Sequence, residues 1–179
     1  MEYVVAILAV AAIVVFVLRS SGRGESAGNS FDREMRQLAA EAIHLAKNEY
    51  KLTLTNDRAS IRDLEDKVIQ DLRNNQLISP YAEDELAELS RLWGAYVGEV
   101  LRRIRPGKWR GSSRHGDRRP MPFVLNRNQE VFPCSWIYRR IKHGAEFGVH
   151  AKVCEFADNR DNPEYAVKGI ESGGESTSA

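Results

Sequence analysis

The sequence has few of the residues from which small proteins build reactive or metal-binding sites. It has only two cysteines, Cys134 and Cys154, and four histidines in 179 residues. A small secreted domain held together by disulfides would need more cysteine, so no disulfide framework is expected. Cys134 follows Phe132-Pro133 and Cys154 lies in the sequence VCEF. Both cysteines are therefore predicted to be small, buried apolar residues.

The sequence also lacks the motifs that carry common chemistry. His44, His115, His143 and His150 show no H-x-x-x-H or H-E-x-x-H spacing, and no C-x-x-C is present. There is no phosphate-binding loop, no G-x-G-x-x-G and no nucleophile elbow. No metal, cofactor or catalytic residue is predicted, and a binding protein is favoured over an enzyme. A nucleophile and base formed by Cys134 with His143 or His150 stays open, because the fold could bring them together.

One long apolar run is present, from Tyr3 to Leu18. As a helix it would cover about 24 Å, which is slightly less than the hydrocarbon core of a bilayer. A cleaved signal peptide would begin with positive charge, whereas this segment begins with Glu2. Arg19 and Arg23 follow the run and predict that this side stays in the cytoplasm. We expect a single-pass anchor in the inner membrane, with the domain in the cytoplasm.

The chain is predicted to have four parts: an anchor at 1–19, a flexible Gly/Ser-rich linker at 20–30, a globular domain at 31–160 and a disordered tail at 161–179. Apolar spacing predicts helices over about Asp32 to Leu52, Asn56 or Asp57 to Asn75, and Tyr81 to Ile104. The charged face of the second helix is predicted to be solvated.

A small sheet is predicted after the third helix, with strands at 108–110, 122–126 and 130–132. Helices from Ser135 to His143 and from Val149 to Ala157 follow, and Gly144 separates them. The fold class is therefore α+β: three helices, a small antiparallel sheet and two short helices. Gly94 and Gly98, four residues apart on the third helix, are predicted to let another backbone approach closely.

Part of the chain resembles an uncharacterised family of bacterial domains. The resemblance rests on LWGAYVGEVLRR, GKW, and FPCSWIYRRIKHG with a closing V-x-x-x-x-x-F, and it covers roughly residues 60–156. This chain differs from that family by its membrane anchor and by a polar basic loop at 111–120. The family has no established activity, so the resemblance implies a single α+β domain and no site residues.

Charge is strongly segregated along the chain, although the formal net charge is only +1. Residues 25–99 hold 15 acidic and 9 basic side chains, whereas residues 100–142 hold 12 basic and 2 acidic ones. The acidic helices could neutralise the basic segment within the fold, or a basic face could remain open for an anionic partner. The candidate binding residues are Glu99, Arg102, Arg103, Lys108, Arg110, Arg114, Arg118, Arg119, Arg139 and Arg140.

Glu99 has two possible roles in this set. It could form an i,i+3 or i,i+4 ion pair with the arginines that follow it, or it could line a pocket and orient a basic residue of the 139–142 helix. The expected partner is an anionic lipid surface or an acidic protein, and nucleic acid stacked on Trp109 is less favoured. The predicted function is a membrane-tethered cytoplasmic interaction or regulatory module without catalysis. The alternatives are a hydrolase that uses Cys134 or Glu99, and a membrane-associated nucleic-acid binder.

Overall fold

The structure, a computed structural model, describes residues 27–111, 121–125 and 129–158. The predicted membrane span, the loop at 112–120, the hairpin turn at 126–128 and the tail from residue 159 lie outside these ranges. Within them, no helix combines the length and the apolar character needed to cross a membrane.

The described residues form five helices and a three-stranded antiparallel sheet, which confirms the predicted α+β class. Helix α1 is Ala27–Glu49, and α2 is continuous in three parts: Arg58–Asp63, a π-helical segment Leu64–Ile69, and Gln70–Ile78. Helix α3 is Glu83–Ile104. Strands β1, β2 and β3 are Gly107–Trp109, Phe123–Leu125 and Glu130–Val131. Helix α4 is Pro133–His143, a 3₁₀ turn is Ala145–Phe147, and α5 is Val149–Asp158.

Helix α3 forms the centre of the domain, with α1 and α4 packed along it. All residues from Leu89 to Gly98 are buried, and Trp93 and Tyr96 are almost completely excluded from solvent. The first turn carries three acidic residues and the last turn two arginines, an arrangement that the helix dipole favours. Burial around most of its circumference explains why the sequence shows an unusually broad apolar face on this helix.

Helix α1 packs against α3. Asp32, near the start of α1, binds Arg102 near the end of α3, while Tyr50, just after α1, lies edge-to-face on Trp93. The helix begins at Ala27, so residues 27–30 of the segment predicted as a flexible linker are helical. It ends at Glu49 rather than Leu52, since Lys51 takes a left-handed conformation with φ of 51°.

Helix α2 begins where its capping residues predict. The Asp57 carboxylate accepts a hydrogen bond from the Ser60 N–H at 2.8 Å, and the Ser60 hydroxyl oxygen accepts one from the Asp57 N–H at 3.1 Å. These reciprocal bonds form a capping box. The helix continues to Ile78, three residues past the predicted end, because nothing before Pro80 stops it.

The sheet has the order β1-β2-β3 and covers the end of α3. Trp109 pairs with Phe123 across β1 and β2, and their rings meet edge-to-face with centroids 5.5 Å apart. Pro133 then occupies the first turn of α4, two residues before the predicted start, a position where its missing N–H costs no hydrogen bond. Gly144, with φ of 109°, ends α4 as predicted.

Candidate functional site

The structure divides the predicted basic cluster into buried and exposed members, and Arg102 belongs to the buried framework. Its Nη2 lies 2.7 Å from Asp32 Oδ1, its Nε lies 3.1 Å from Glu99 Oε1, and its Nη1 lies 2.7 Å from the Gly107 carbonyl oxygen. These bonds connect α1, α3 and β1. Arg102 therefore stabilises the fold at this end of the domain and is not free to bind a partner.

Glu99 forms the i,i+3 ion pair with Arg102, which is the first of its two predicted roles. The carboxylate that orients a basic residue of α4 is Glu65, not Glu99. Glu65 Oε1 accepts from Arg140 Nε at 2.8 Å, and Gln70 Oε1 accepts from Arg140 Nη2 at 3.0 Å. Arg140 is 6% exposed, so it is buried and does not join the surface cluster.

The other basic residues of α4 have partners of their own. Arg139 lies over the Phe147 ring, 6.0 Å from its centroid, and Lys142 Nζ is 2.6 Å from Glu83 Oε1. Glu83 is the first residue of α3, which places it about 28 Å along the helix axis from Arg102. Arg140 and Lys142 therefore do not extend the cluster, whereas the expectation for Arg139 stays a prediction.

The acidic helices do neutralise part of the basic segment. Asp32, Glu65 and Glu99 from the acidic part of the chain pair with Arg102 and Arg140 from the basic part. These pairs are largely buried, since no side chain in them is more than 22% exposed. The two sequence alternatives thus apply to different residues: the buried arginines are neutralised within the fold, and the exposed ones remain at the surface.

Arg103, Lys108 and Arg110 are exposed, and we call these three residues the basic edge. Arg110 is 57% exposed in its side chain, and among the described residues its guanidinium makes a long contact of 3.4 Å with Glu130. Arg114, Arg118 and Arg119 lie outside the described residues. Trp109 is 1% exposed, packed between Gly98 and Phe123, so the predicted stacking of a nucleic-acid base on its ring is wrong.

The start of α1 is attached to the basic edge. Asp32 Oδ1 accepts a hydrogen bond from the Trp109 N–H at 2.9 Å, besides its bond to Arg102. The Phe31 ring packs so closely on Gly111 that a Cβ there would lie 2.7 Å from Phe31 Cε1. We call Phe31 and Asp32 the linker junction, because the predicted linker precedes them.

The Asp32 carboxyl has a lowered pKa. Burial acts to raise the pKa, but hydrogen bonds from Arg102 and the Trp109 N–H, with the charges of Arg102 and Arg36, outweigh it. Because the pKa is lower in the folded than in the unfolded chain, the ionised carboxylate stabilises the fold above the ordinary value of 3.8. That stabilisation is lost as the pH falls through the lower folded value.

Replacing Asp32 by asparagine should therefore destabilise the domain at neutral pH and not in acid. We expect a loss of roughly 1–3 kcal/mol at pH 7, because Arg102 loses its charged partner while the Trp109 N–H keeps an acceptor. Urea unfolding of the wild-type protein and of the Asp32→Asn variant between pH 7 and pH 3 measures the difference in their free energies of unfolding. This difference should shrink below about pH 4. A difference that stayed constant with pH would contradict the role of the ionised carboxylate.

The two cysteines are free and lie in different environments. Cys134 is buried against Gly94, and burial raises the pKa of its thiol to about 12, which argues against a nucleophilic role. Cys154 is partly exposed, contrary to the predicted burial, and its Sγ lies 3.5 Å from His150 Nε2. The histidine and cysteine that the fold brings together are thus His150 and Cys154.

The sequence analysis missed three features: the His150–Cys154 contact, the burial of Glu65 and the bond from Asp32 to β1. The first two could have been predicted from residue spacing. His150 and Cys154 stand four apart in a predicted helix, which places them on one face. Glu65 stands four residues from both Ile61 and Ile69, so it lies on the apolar stripe of α2 rather than on the solvated face. The bond from Asp32 to β1 joins residues 77 apart and had no local signal.

Comparison with models of protein families, with curated proteins and with solved structures finds no match for this chain. The resemblance of residues 60–156 to a bacterial domain family therefore stays a prediction. In the described part of the chain, no group of three or more His, Cys, Asp or Glu side chains could hold a metal ion.

Proposed function

We propose that the protein is a membrane-tethered, non-catalytic interaction module that presents its basic edge to the anionic surface of its own membrane. The observation that carries this proposal is the attachment of the linker junction to β1. Asp32 bonds the Trp109 N–H, and Trp109 stands between Lys108 and Arg110. A linker anchored in the bilayer would enter the domain beside these exposed cations.

The number of exposed cations and the short linker favour binding to the lipid surface over binding to a partner far from the membrane. A basic residue near an anionic leaflet contributes about 1 kcal/mol, so the three cations of the basic edge contribute roughly 3 kcal/mol. Because α1 begins at Ala27, the predicted linker is shortened to residues 20–26, and seven flexible residues would span about 15 Å on average, which keeps the domain within reach of the surface. The basic edge then binds at the high effective concentration that tethering creates.

The side chains of the hydrolase alternative are engaged in the fold. Glu99 is held by Arg102, and the Cys134 thiol is buried with a raised pKa. These contacts support a binding function over one based on either residue. The acidic protein remains the alternative partner for the basic edge.

The proposal predicts that lipid charge controls the accessibility of Lys108. With the full chain in nanodiscs, an N-hydroxysuccinimide ester should acetylate Lys108 at least about fivefold more slowly on phosphatidylglycerol than on phosphatidylcholine, and salt should remove the difference. Lys47 is the internal control, since it is exposed about 22 Å along α1 from Asp32. Peptide mass spectrometry reads both sites in the same sample.

A matched pair of charge reversals tests the surface itself. Arg103→Glu with Arg110→Glu should abolish the protection of Lys108, whereas Arg62→Glu with Lys67→Glu, two exposed positions on α2 that change the net charge equally, should preserve it. Equal acetylation of Lys108 on both lipids in the wild-type chain would refute lipid binding and favour the acidic protein partner.

A further inference from the structure

Helix α5 carries a thiol and an imidazole in contact. Cys154 Sγ and His150 Nε2 are 3.5 Å apart, which is hydrogen-bond distance for sulfur, and both side chains are partly exposed. The tautomer with its proton on Nδ1 leaves Nε2 free to accept a hydrogen bond from the thiol. A nucleophile and a base within hydrogen-bond distance form the arrangement that activates a thiol.

The position of His150 is fixed by the buried ion pair between Glu65 and Arg140. Glu65 Oε2 accepts from the His150 N–H at 2.8 Å, while Glu65 Oε1 accepts from Arg140 at 2.8 Å. The first turn of α5 is thereby attached to α2 and α4. Because Cys154 lies one helical turn after His150, the rigid backbone of α5 keeps the ring and the thiol on one face.

We propose that Cys154 is a modification site that exchanges with low-molecular-weight disulfides, with His150 as its proton acceptor. The Cys154 thiol gives its proton to His150 Nε2, and the thiolate attacks one sulfur of the small disulfide. A new S–S bond forms at Cys154, and the disulfide's own S–S bond breaks. The leaving thiolate then takes the proton from His150, so one small thiol is released for each mixed disulfide formed.

The environment of Cys154 suits this chemistry, and that of Cys134 does not. Attack requires that the sulfur reach the disulfide, and Cys154 is partly exposed whereas Cys134 is 8% exposed. In a reducing cytoplasm, Cys154 would remain a thiol until small disulfides accumulate. The exchange is a property of α5 and does not depend on lipid binding by the basic edge.

The full chain in nanodiscs, treated with glutathione disulfide at pH 7.5, tests this proposal. Peptide mass spectrometry should find the mixed disulfide on Cys154 and none on Cys134. His150→Gln should slow the modification of Cys154 by roughly tenfold or more, because the proton acceptor is lost. His143→Gln is the matched control, since His143 is exposed on α4 and packs on Phe147, so the rate should not change.

Two results would overturn the proposal. One is a modification rate of Cys154 in the wild-type chain that is no greater than in His150→Gln. If His150→Gln unfolds, which circular dichroism and modification of Cys134 would reveal, the wild-type rate is instead compared with that of N-acetylcysteine in the same solution. A wild-type rate per thiol below that of N-acetylcysteine is the second overturning result.

Discussion

Replacing Arg140 by alanine should lower the free energy of unfolding by roughly 3–5 kcal/mol, because removal of one partner leaves a buried charge alone. Arg140 is 6% exposed and Glu65 9% exposed. Glu65 would keep the His150 N–H as a donor, while the Gln70 side-chain oxygen would lose its bond to the guanidinium. Urea unfolding of the full chain in nanodiscs, followed by tryptophan fluorescence, measures the loss.

A double variant separates the ion pair from the space that it fills. Glu65→Gln with Arg140→Met removes both charges and keeps most of the volume, so it should cost less than Arg140→Ala alone. Arg110→Ala is the surface control, and it should cost less than about 1 kcal/mol, because the Arg110–Glu130 pair is exposed. If Arg140→Ala behaved like Arg110→Ala, the pair would not support the packing of α2, α4 and α5.

The position of Glu65 shows what the sequence could and could not predict about this pair. Apolar spacing located α2, and Glu65 falls within its apolar stripe, so burial was readable. The π-helical segment Leu64–Ile69 could not be predicted from the sequence. A π turn changes the hydrogen-bond partner by one residue and leaves little trace in the hydrophobic pattern. The partner could not be predicted either, since Arg140 lies 75 residues away. The burial of Arg140 was readable, because it stands three residues after Ile137 on the apolar stripe of α4.

The same limit applies to the basic cluster. Arg102 and Arg103 are neighbours with identical side chains, yet one is bound to Asp32 and the other is exposed. Which arginine faces α1 depends on how α1 and α3 pack together, and the sequence of neither helix contains that information. The helix limits were better predicted, because prolines and glycines such as Pro80 and Gly144 act locally.

The two ends of α3 have different surroundings: the end near Arg102 is basic, and the end near Glu83 is acidic. At one end, Arg102 joins α1, α3 and β1 beside the basic edge and the linker junction. At the other end, Glu83 binds Lys142 and Tyr138 of α4, and the exposed Leu77 and Ile78 end α2. In the proposed tethered state the basic end faces the membrane, and the acidic first turn of α3 points into the cytoplasm.

Glycine to alanine changes on α3 should destabilise the domain, although alanine is the better helix former by about 1 kcal/mol. A Cβ at Gly98 would lie 2.2 Å from Trp109 Cζ2, and one at Gly94 would lie 2.6 Å from the Cys134 Cα. Overpacking of cores costs roughly 1–3 kcal/mol and occasionally more. We expect at least about 3 kcal/mol for each variant, because both glycines are buried at the centre of the domain.

The two glycines should differ in whether a second substitution rescues them. The neighbour of Gly98 is a side chain, so Trp109→Leu should recover part of the stability lost in Gly98→Ala. The neighbour of Gly94 is the backbone of α4, whose Cys134 N and Cα would lie 2.8 and 2.6 Å from the new Cβ. Cys134→Ala removes only the sulfur, so Gly94→Ala should stay destabilised in that background.

The predicted close approach of another backbone thus holds at Gly94, whereas an indole ring occupies the space at Gly98. Double-mutant cycles of urea unfolding measure both couplings, and equal rescue at the two positions would contradict this distinction.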